Sequence, residues 1–348
     1  MKKLDFGVTR NNEKASKYIL KNKHGMEVAL SDFGATILSI CLEDKNGAYR
    51  DVLLGYDTLE EYYDNSCGFG AYIGRNSNRI GDAKVIIGGV EYSLEANNHN
   101  NNLHSGNNRS HYQFYQTVTG MENGLEYVEF QRVSPHLEQG FPGNLDQKIR
   151  YTLTEENELS IRYEMISDMD TVINPTNHSY FNLNGHDSGD ILKHKLEVYS
   201  DAFLLTDSQL LPTGKIASVE DTPMDFRMKK EIGVDIHVMY EPIQLAGGYD
   251  HNYIFENNGL LKKMARVEAD ESGLYMETYS DLCGMQVYSG NFLNGRNGKA
   301  NTVYEKHAGI CFEAQFYPNS CKEPTFPSCI CEANKEFFST TIYKFGQI

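Results

Sequence analysis

A chain of 348 residues has room for one large all-β domain or two ordinary domains, and for a sizeable buried core. Its formal charge of −16 and pI near 5.1 argue against nucleic acid and anionic membrane surfaces as partners, and weakly against a phosphorylated substrate. A neutral small molecule fits better, and the 40% hydrophobic and 23% charged fractions are those of an ordinary globular protein. The basic start is not followed by an apolar h-region, so no secretory signal is expected, and no apolar run approaches membrane-spanning length. Seven cysteines at irregular spacing read as reduced thiols, which with the missing signal predicts a cytoplasmic protein. Cys321, Cys329 and Cys331 invite a zinc reading but lack paired C-x2-C spacing, so no metal is expected.

In chain order, alternating segments dominate. Residues 18–30 read as a hairpin turning at 22–25, followed by a strand at 35–42, a turn at 45–47 and a short run at 51–55. Residues 58–63 alone look helical, capped by Asp57 or Thr58. Residues 84–87 and 90–94 flank Gly88-Gly89 as the clearest hairpin. Further strands are expected at 114–119, 127–132, 148–153, 159–166, 196–205, 285–288, 309–316 and 337–343. So many strands without long 3.6-period patterns predict an all-β fold, a large sandwich or barrel of antiparallel sheets. With no linker and no internal repeat, residues 1–348 are expected to form a single domain.

Five segments combine proton-transfer groups with polarity suited to a many-hydroxyl ligand. In Asn174-Pro175-Thr176-Asn177-His178-Ser179-Tyr180-Phe181, extended alternation puts Thr176, His178 and Tyr180 on one face and Asn177, Ser179 and Phe181 on the other. His178 suits general acid chemistry, its ordinary pKa lying near neutrality. Arg75 and Arg79 sit in a glycine-rich stretch, where an arginine would donate to a ring or hydroxyl oxygen or else pair with acidic neighbours. His104 ends an asparagine-rich loop, and Gly247-Gly248-Tyr249-Asp250-His251-Asn252 reads as a second loop, with groups able to accept two hydroxyl donors at once. In the last segment, Ile310, Phe312, Ala314 and Phe316 make an apolar face, leaving Cys311, Glu313 and Gln315 on the other. Burial there raises the Glu313 pKa and makes it a better base near neutral pH. Taken singly, each residue is more often structural than catalytic.

Together, in order, these phrases resemble the aldose 1-epimerase (galactose mutarotase) family over nearly the whole chain. The resemblance rests on Phe33-Gly-Ala-Thr-Ile37, Gly74-Arg75, Asn78-Arg79-Ile80, Leu103-His104, Gly140-Phe-Pro-Gly-Asn-Leu145, the His178 segment, Gly248-Tyr-Asp250-His-Asn252, Gln286-Val-Tyr-Ser-Gly-Asn-Phe-Leu293 and Cys311-Phe-Glu313-Ala-Gln315. It implies the galactose mutarotase-like supersandwich, with Glu313 as catalytic base and His178 as catalytic acid. It implies Asn78, Arg79, His104, Asp250 and Gln286 as substrate-binding groups, a small-molecule sugar as substrate, no cofactor, no metal, and a monomer or homodimer. Ser105 stands where the family often has glycine, Cys283 where proline is usual, and the Phe316-Tyr317-Pro318 stretch differs where histidine is frequent.

Anomer exchange opens and recloses a pyranose ring: a base takes the C1 hydroxyl proton while an acid protonates the ring oxygen. Three rivals make different demands. A glycoside hydrolase would use two carboxylates, for which Glu313 and Asp250 qualify. A non-catalytic carbohydrate-binding relative would rely on stacking aromatics, and the chain has no tryptophan. A hexose-phosphate 1-epimerase would show a basic phosphate pocket, against which the acidic balance counts.

Overall fold

The computed structural model describes residues 1–348, and its regular structure is almost entirely antiparallel strands in three large sheets, with several two-stranded ladders. A five-stranded meander runs Lys2–Val8, Lys14–Lys21, Glu27–Ser31, Thr36–Glu43 and Tyr49–Asp51, each strand beside the next. The nine-stranded sheet has its longest strands at Leu125–Ser134, Leu145–Leu153, Glu158–Ser167 and Phe337–Gln347. A second five-stranded sheet lies in the order Pro212–Ser218, Ala202–Thr206, Asp250–Ile254, Gly284–Tyr288, Cys311–Gln315.

Period-two patterning decides which face of each sheet is dry. In Leu145–Leu153 the odd-numbered residues are all buried and the others reach solvent or half-exposed positions, as one-sided burial requires. A core of 53 buried residues joins the three sheets, with Leu30 and Ile37 from the meander, Ile149 and Ile161 from the large sheet and Val287 and Phe312 from the third. Buried tyrosines tie the layers by donating to backbone carbonyls: Tyr151 to Ala35 at 2.7 Å and Tyr343 to Phe312 at 3.0 Å. Such partners satisfy a hydroxyl that would otherwise be costly to bury.

Every residue of Gly284–Tyr288 and Cys311–Gln315 is buried, on both faces. One face meets the core, and the other carries polar side chains under a cover of loops. The expected strand at 196–205 is two strands, Lys195–Val198 in the large sheet and Ala202–Thr206 in the third, because the chain changes sheets between them. Ser200 turns that corner by donating to the Ile254 carbonyl at 2.7 Å. The unanticipated strands Lys262–Ala269 and Leu274–Ser280 have their alternation masked by a ladder of ions, in which Lys263 and Arg266 both meet Glu277. The short helix Leu59–Tyr62 is capped by Thr58, whose hydroxyl accepts from the Glu61 N–H while Glu61 accepts from the Thr58 N–H. A second helix, Glu241–Ala246, had no counterpart among the predicted elements.

Candidate active site

Strand register builds the first wall of the site. Asp250 lies opposite Tyr288, and Gln286 lies opposite Glu313. With side chains alternating, Asp250, Gln286, Cys311 and Glu313 share the polar face while Val287 and Phe312 enter the core. Gln286 Nε2 donates to Asp250 Oδ1 at 2.6 Å and so fixes that carboxylate. Glu313 is buried, and its Oε2 has no partner within the chain. The loop before Asp250 is tight: Gly248 has φ +149°, and a Cβ there would run into Asn291 Oδ1, whose amide donates to the Tyr249 carbonyl at 2.9 Å.

The strand Thr176–His178 supplies the next element, pinned to the Glu313 strand by Thr176 Oγ1 donating to the Ala314 carbonyl at 2.8 Å. His178 Nε2 stands 3.6 Å from Glu313 Oε1, its ring stacks on Tyr180, and its Nδ1 lies 3.7 Å from Cys311 Sγ. Burial pushes the Cys311 thiol well up, so it stays S–H beside Nδ1. Nε2 faces Glu313 and the pocket.

Loops form the opposite wall. Arg79–Ile80 and Asn102–Leu103 pair as a two-residue ladder, and the chain leaves it at each side through left-handed residues, Asn78 (φ 59°) and His104 (φ 51°). The Asn78 N–H donates to His104 Nδ1 at 3.1 Å and the His104 N–H to the Asn78 carbonyl at 3.1 Å. His104 therefore carries its proton on Nε2, and its ring meets His178 edge-on with centroids 5.3 Å apart. Ser105 is also left-handed (φ 67°), and its hydroxyl both accepts from the Asn76 N–H and donates to the Asn76 carbonyl. Those bonds offset the backbone cost of a residue with a Cβ in this conformation.

These walls enclose an open pocket of about 820 Å³ including its mouth, lined by Asn78, Arg79, His104, His178, Asp250 and Glu313 among others. Desolvation sets its electrostatics. Burial, then the neighbouring Asp250, raises the Glu313 pKa well above the usual carboxylate range, with Arg79 opposing. Burial also raises Asp250, while it lowers His104 far below its ordinary value and His178 to about 4. His104, His178 and Glu313 each bring a ligand atom within 4.8 Å of the others, a nitrogen–oxygen donor set of the type borderline divalent ions use. Cys321, Cys329 and Cys331 form no such group.

The aldose 1-epimerase family model matches residues 16–344. The chain belongs to that family. It is 38% identical to the galactose mutarotase of Bos taurus over 322 residues, covering 92% of this chain and 91% of the relative. It is 35% identical to the aldose 1-epimerase of Escherichia coli K12 over 329 residues, 94% of each chain. Among solved structures, the GalM/aldose epimerase homologue of C. elegans superposes with a TM-score of 0.87 at 26% identity, covering 96% of this chain and 99% of that one. Galactose 1-epimerase from Lactobacillus acidophilus NCFM gives 0.87 at 25%, covering 99% and 98%. The fold is thus the antiparallel supersandwich of this family, and the protein is an isomerase acting on carbohydrates.

For this aldose 1-epimerase family member, the seven residues singled out in the sequence come together: six line the pocket and Gln286 braces Asp250 from beside it. Arg75 does not join them. It is buried away from the pocket and donates six hydrogen bonds, to the hydroxyls of Ser134 and Thr171 and to the carbonyls of Ser134, Pro135, Pro142 and Gly143. The Gly140-to-Leu145 phrase therefore wraps a structural arginine. The departures from the family pattern at Cys283 and in the Phe316-Tyr317-Pro318 stretch lie outside the pocket lining: Cys283 and Tyr317 sit in a small apolar cluster with Leu204 and Phe326, and Phe316 packs against it. Sequence reasoning missed Cys311 as the group beside His178 Nδ1, although its place two residues before Glu313 on the same face was the available signal. It also missed Tyr288 at the end of the Gln286 strand, Phe292 in the turn that follows, Arg109 in a loop and Arg296 at the start of a two-residue strand, all of which line the pocket.

Proposed function

We propose that this protein interconverts the α and β anomers of free aldoses such as D-galactose and D-glucose in the cytoplasm, with Glu313 as base and His178 as acid. The observation that carries this is the 3.6 Å approach of His178 Nε2 to Glu313 Oε1 in a pocket that also presents Asn78, Arg79, His104 and Asp250. Relatives named galactose mutarotase support the choice of sugar.

The two pKa displacements point the same way: burial favours the neutral form of each group, carboxylic acid beside imidazole. Its tautomer, carboxylate beside imidazolium, has the same proton count and is the reactive form. In it Glu313 takes the C1 hydroxyl proton as His178 delivers one to the ring oxygen, and the C1–O5 bond breaks to a free aldehyde. The site is then left as neutral acid and neutral imidazole, the arrangement a dry pocket favours. Rotation about C1–C2 presents the other carbonyl face, and the reverse transfers close the ring. Asp250, held by Gln286, accepts sugar hydroxyls, while Asn78, Arg79 and His104 keep the open chain from drifting. Each positioned proton-transfer group is worth about 10²- to 10⁴-fold. The pair supplies both acid and base, so a chelator is expected to leave the rate unchanged.

Polarimetry of freshly dissolved α-D-galactose and α-D-glucose tests the reading. The expected result is a faster approach to the same final rotation, with the ratio of rates ranking the sugars. Rotations that drift at the buffer's own rate for both sugars would overturn it.

A further inference from the structure

The sequence has eleven arginines. Seven lie within 4 Å of a carboxylate, and Arg75 is enclosed by carbonyl and hydroxyl oxygens. The three that remain, Arg79, Arg109 and Arg296, all line the sugar pocket. In a chain of net charge −16, arginines without a carboxylate partner collected at one place are not a product of composition. Arg79 lies deep, where its charge is felt by Asp250 and Glu313. Arg109 and Arg296 flank Cys67, whose thiol feels both charges. Arg109 is braced on the Ser66 and Gly106 carbonyls, whereas the Arg296 guanidinium has no hydrogen-bond partner within the chain. Asp64, the exposed carboxylate whose field reaches Tyr56 and Tyr112 nearby, pairs with neither.

We propose that the pocket also takes aldoses bearing an anionic group at C6, such as hexuronic acids or hexose 6-phosphates, with Arg109 and Arg296 meeting the anion. The proposal rests on the assignment of His178 to the ring oxygen. C6 is joined to C5, which carries that oxygen, so an anion at C6 falls near His178. Arg109 is on that side of the pocket, since its charge reaches both His178 and His104. On the sheet wall the same anion would meet Asp250 and Glu313 and be repelled. Guanidinium forks match carboxylate and phosphate alike. The acidic remainder of the surface does not cancel the effect, because salt screens it over about 8 Å at physiological ionic strength. The reaction is unchanged: the ring opens and recloses, and the anion is a spectator held in place.

The test is anomer exchange followed by NMR for D-galactose, D-galacturonate and D-galactose 6-phosphate, at low and high salt. Wild type, Arg296→Gln and Arg296→Lys are compared, with melting temperatures confirming folding. At least one anionic sugar should match or exceed galactose in kcat/KM, with salt depressing the anionic rate only; which of the two leads distinguishes carboxylate from phosphate. Arg296→Gln should lower the anionic-to-neutral ratio about tenfold or more, and Arg296→Lys should restore part of it. Anionic rates under a hundredth of the galactose rate, or a ratio indifferent to Arg296→Gln, would overturn the proposal. Should no sugar turn over, the acid–base reading fails on its own. Calorimetric binding of galacturonate and galactose 6-phosphate then decides this one, supporting it if binding is lost in Arg296→Gln and overturning it if it is absent or unaffected.

Discussion

The two walls of the pocket are built by different means. On the sheet wall, Asp250, Gln286 and Glu313 stand at positions fixed by strand pairing, one per neighbouring strand, with their backbones extended. On the loop wall, Asn78 and His104 hold left-handed backbones and bond to each other. Behind them lies Arg75, bound to six oxygens. Register alone places the carboxylates, whereas the loop wall depends on a network of local bonds that fixes an otherwise unfavourable conformation. The sheet wall should therefore tolerate substitution with loss of chemistry but not of fold, and the loop wall should lose stability where its support is cut.

The largest effect is expected on the sheet wall. Glu313→Gln keeps shape and removes the base, so kcat should fall by about 10²- to 10⁴-fold or more while the melting temperature holds. A folded variant turning over normally would break the comparison at its strongest point. His178→Asn should lower kcat on a similar scale, and ordinary turnover by it would remove the acid role. Next comes the support of the loop wall. Arg75→Met leaves buried oxygens without their donor and should cost about 3 kcal/mol or more in urea unfolding. Arg79→Met, four residues on, should cost about 1 kcal/mol or less in stability but raise KM. Equal stability losses in the two would show that Arg79 is structural as well. Asp250→Ala should raise KM by about tenfold, the scale of a lost charge-assisted hydrogen bond. The smallest effect is Ser105→Gly: glycine relieves the left-handed backbone but forfeits two hydrogen bonds, so its stability should stay within about 1 kcal/mol of the parent.

The same contrast explains what could be read in advance. The alternation around Glu313 is visible because one face of that strand is purely apolar, and the structure puts Ile310, Phe312 and Ala314 in the core while Glu313 faces the pocket. His178 and Tyr180 likewise share a face, as alternation required, and both line the pocket. Asp250 stands on a strand, Asp250–Ile254, where the sequence reads as a loop, because its pocket face is polar and its alternation carries no hydrophobic signal. No periodicity marks Arg79 or His104; a resemblance of motifs singled them out, and it took a folded chain to separate Arg79 from Arg75. Arg109 and Arg296, 187 positions apart in sequence, line the same pocket. Nothing local in either segment announces that partnership.

The claim beneath all of this is that Glu313 and His178 work by sharing one proton. The pH dependence of kcat/KM for α-D-galactose reads that directly. Below the acid limb both groups are protonated and no base remains; His178 sets that limb near pH 4. Above the alkaline limb neither carries a proton and no acid remains, and the upward shift of Glu313 places that limb well above the range of an ordinary carboxylate. A bell with these two limbs is the predicted result, replaced in Glu313→Gln by a residual rate that only falls as pH rises through His178. A rate that climbs steadily with pH, as catalysis by a lone base would give, would contradict the shared proton.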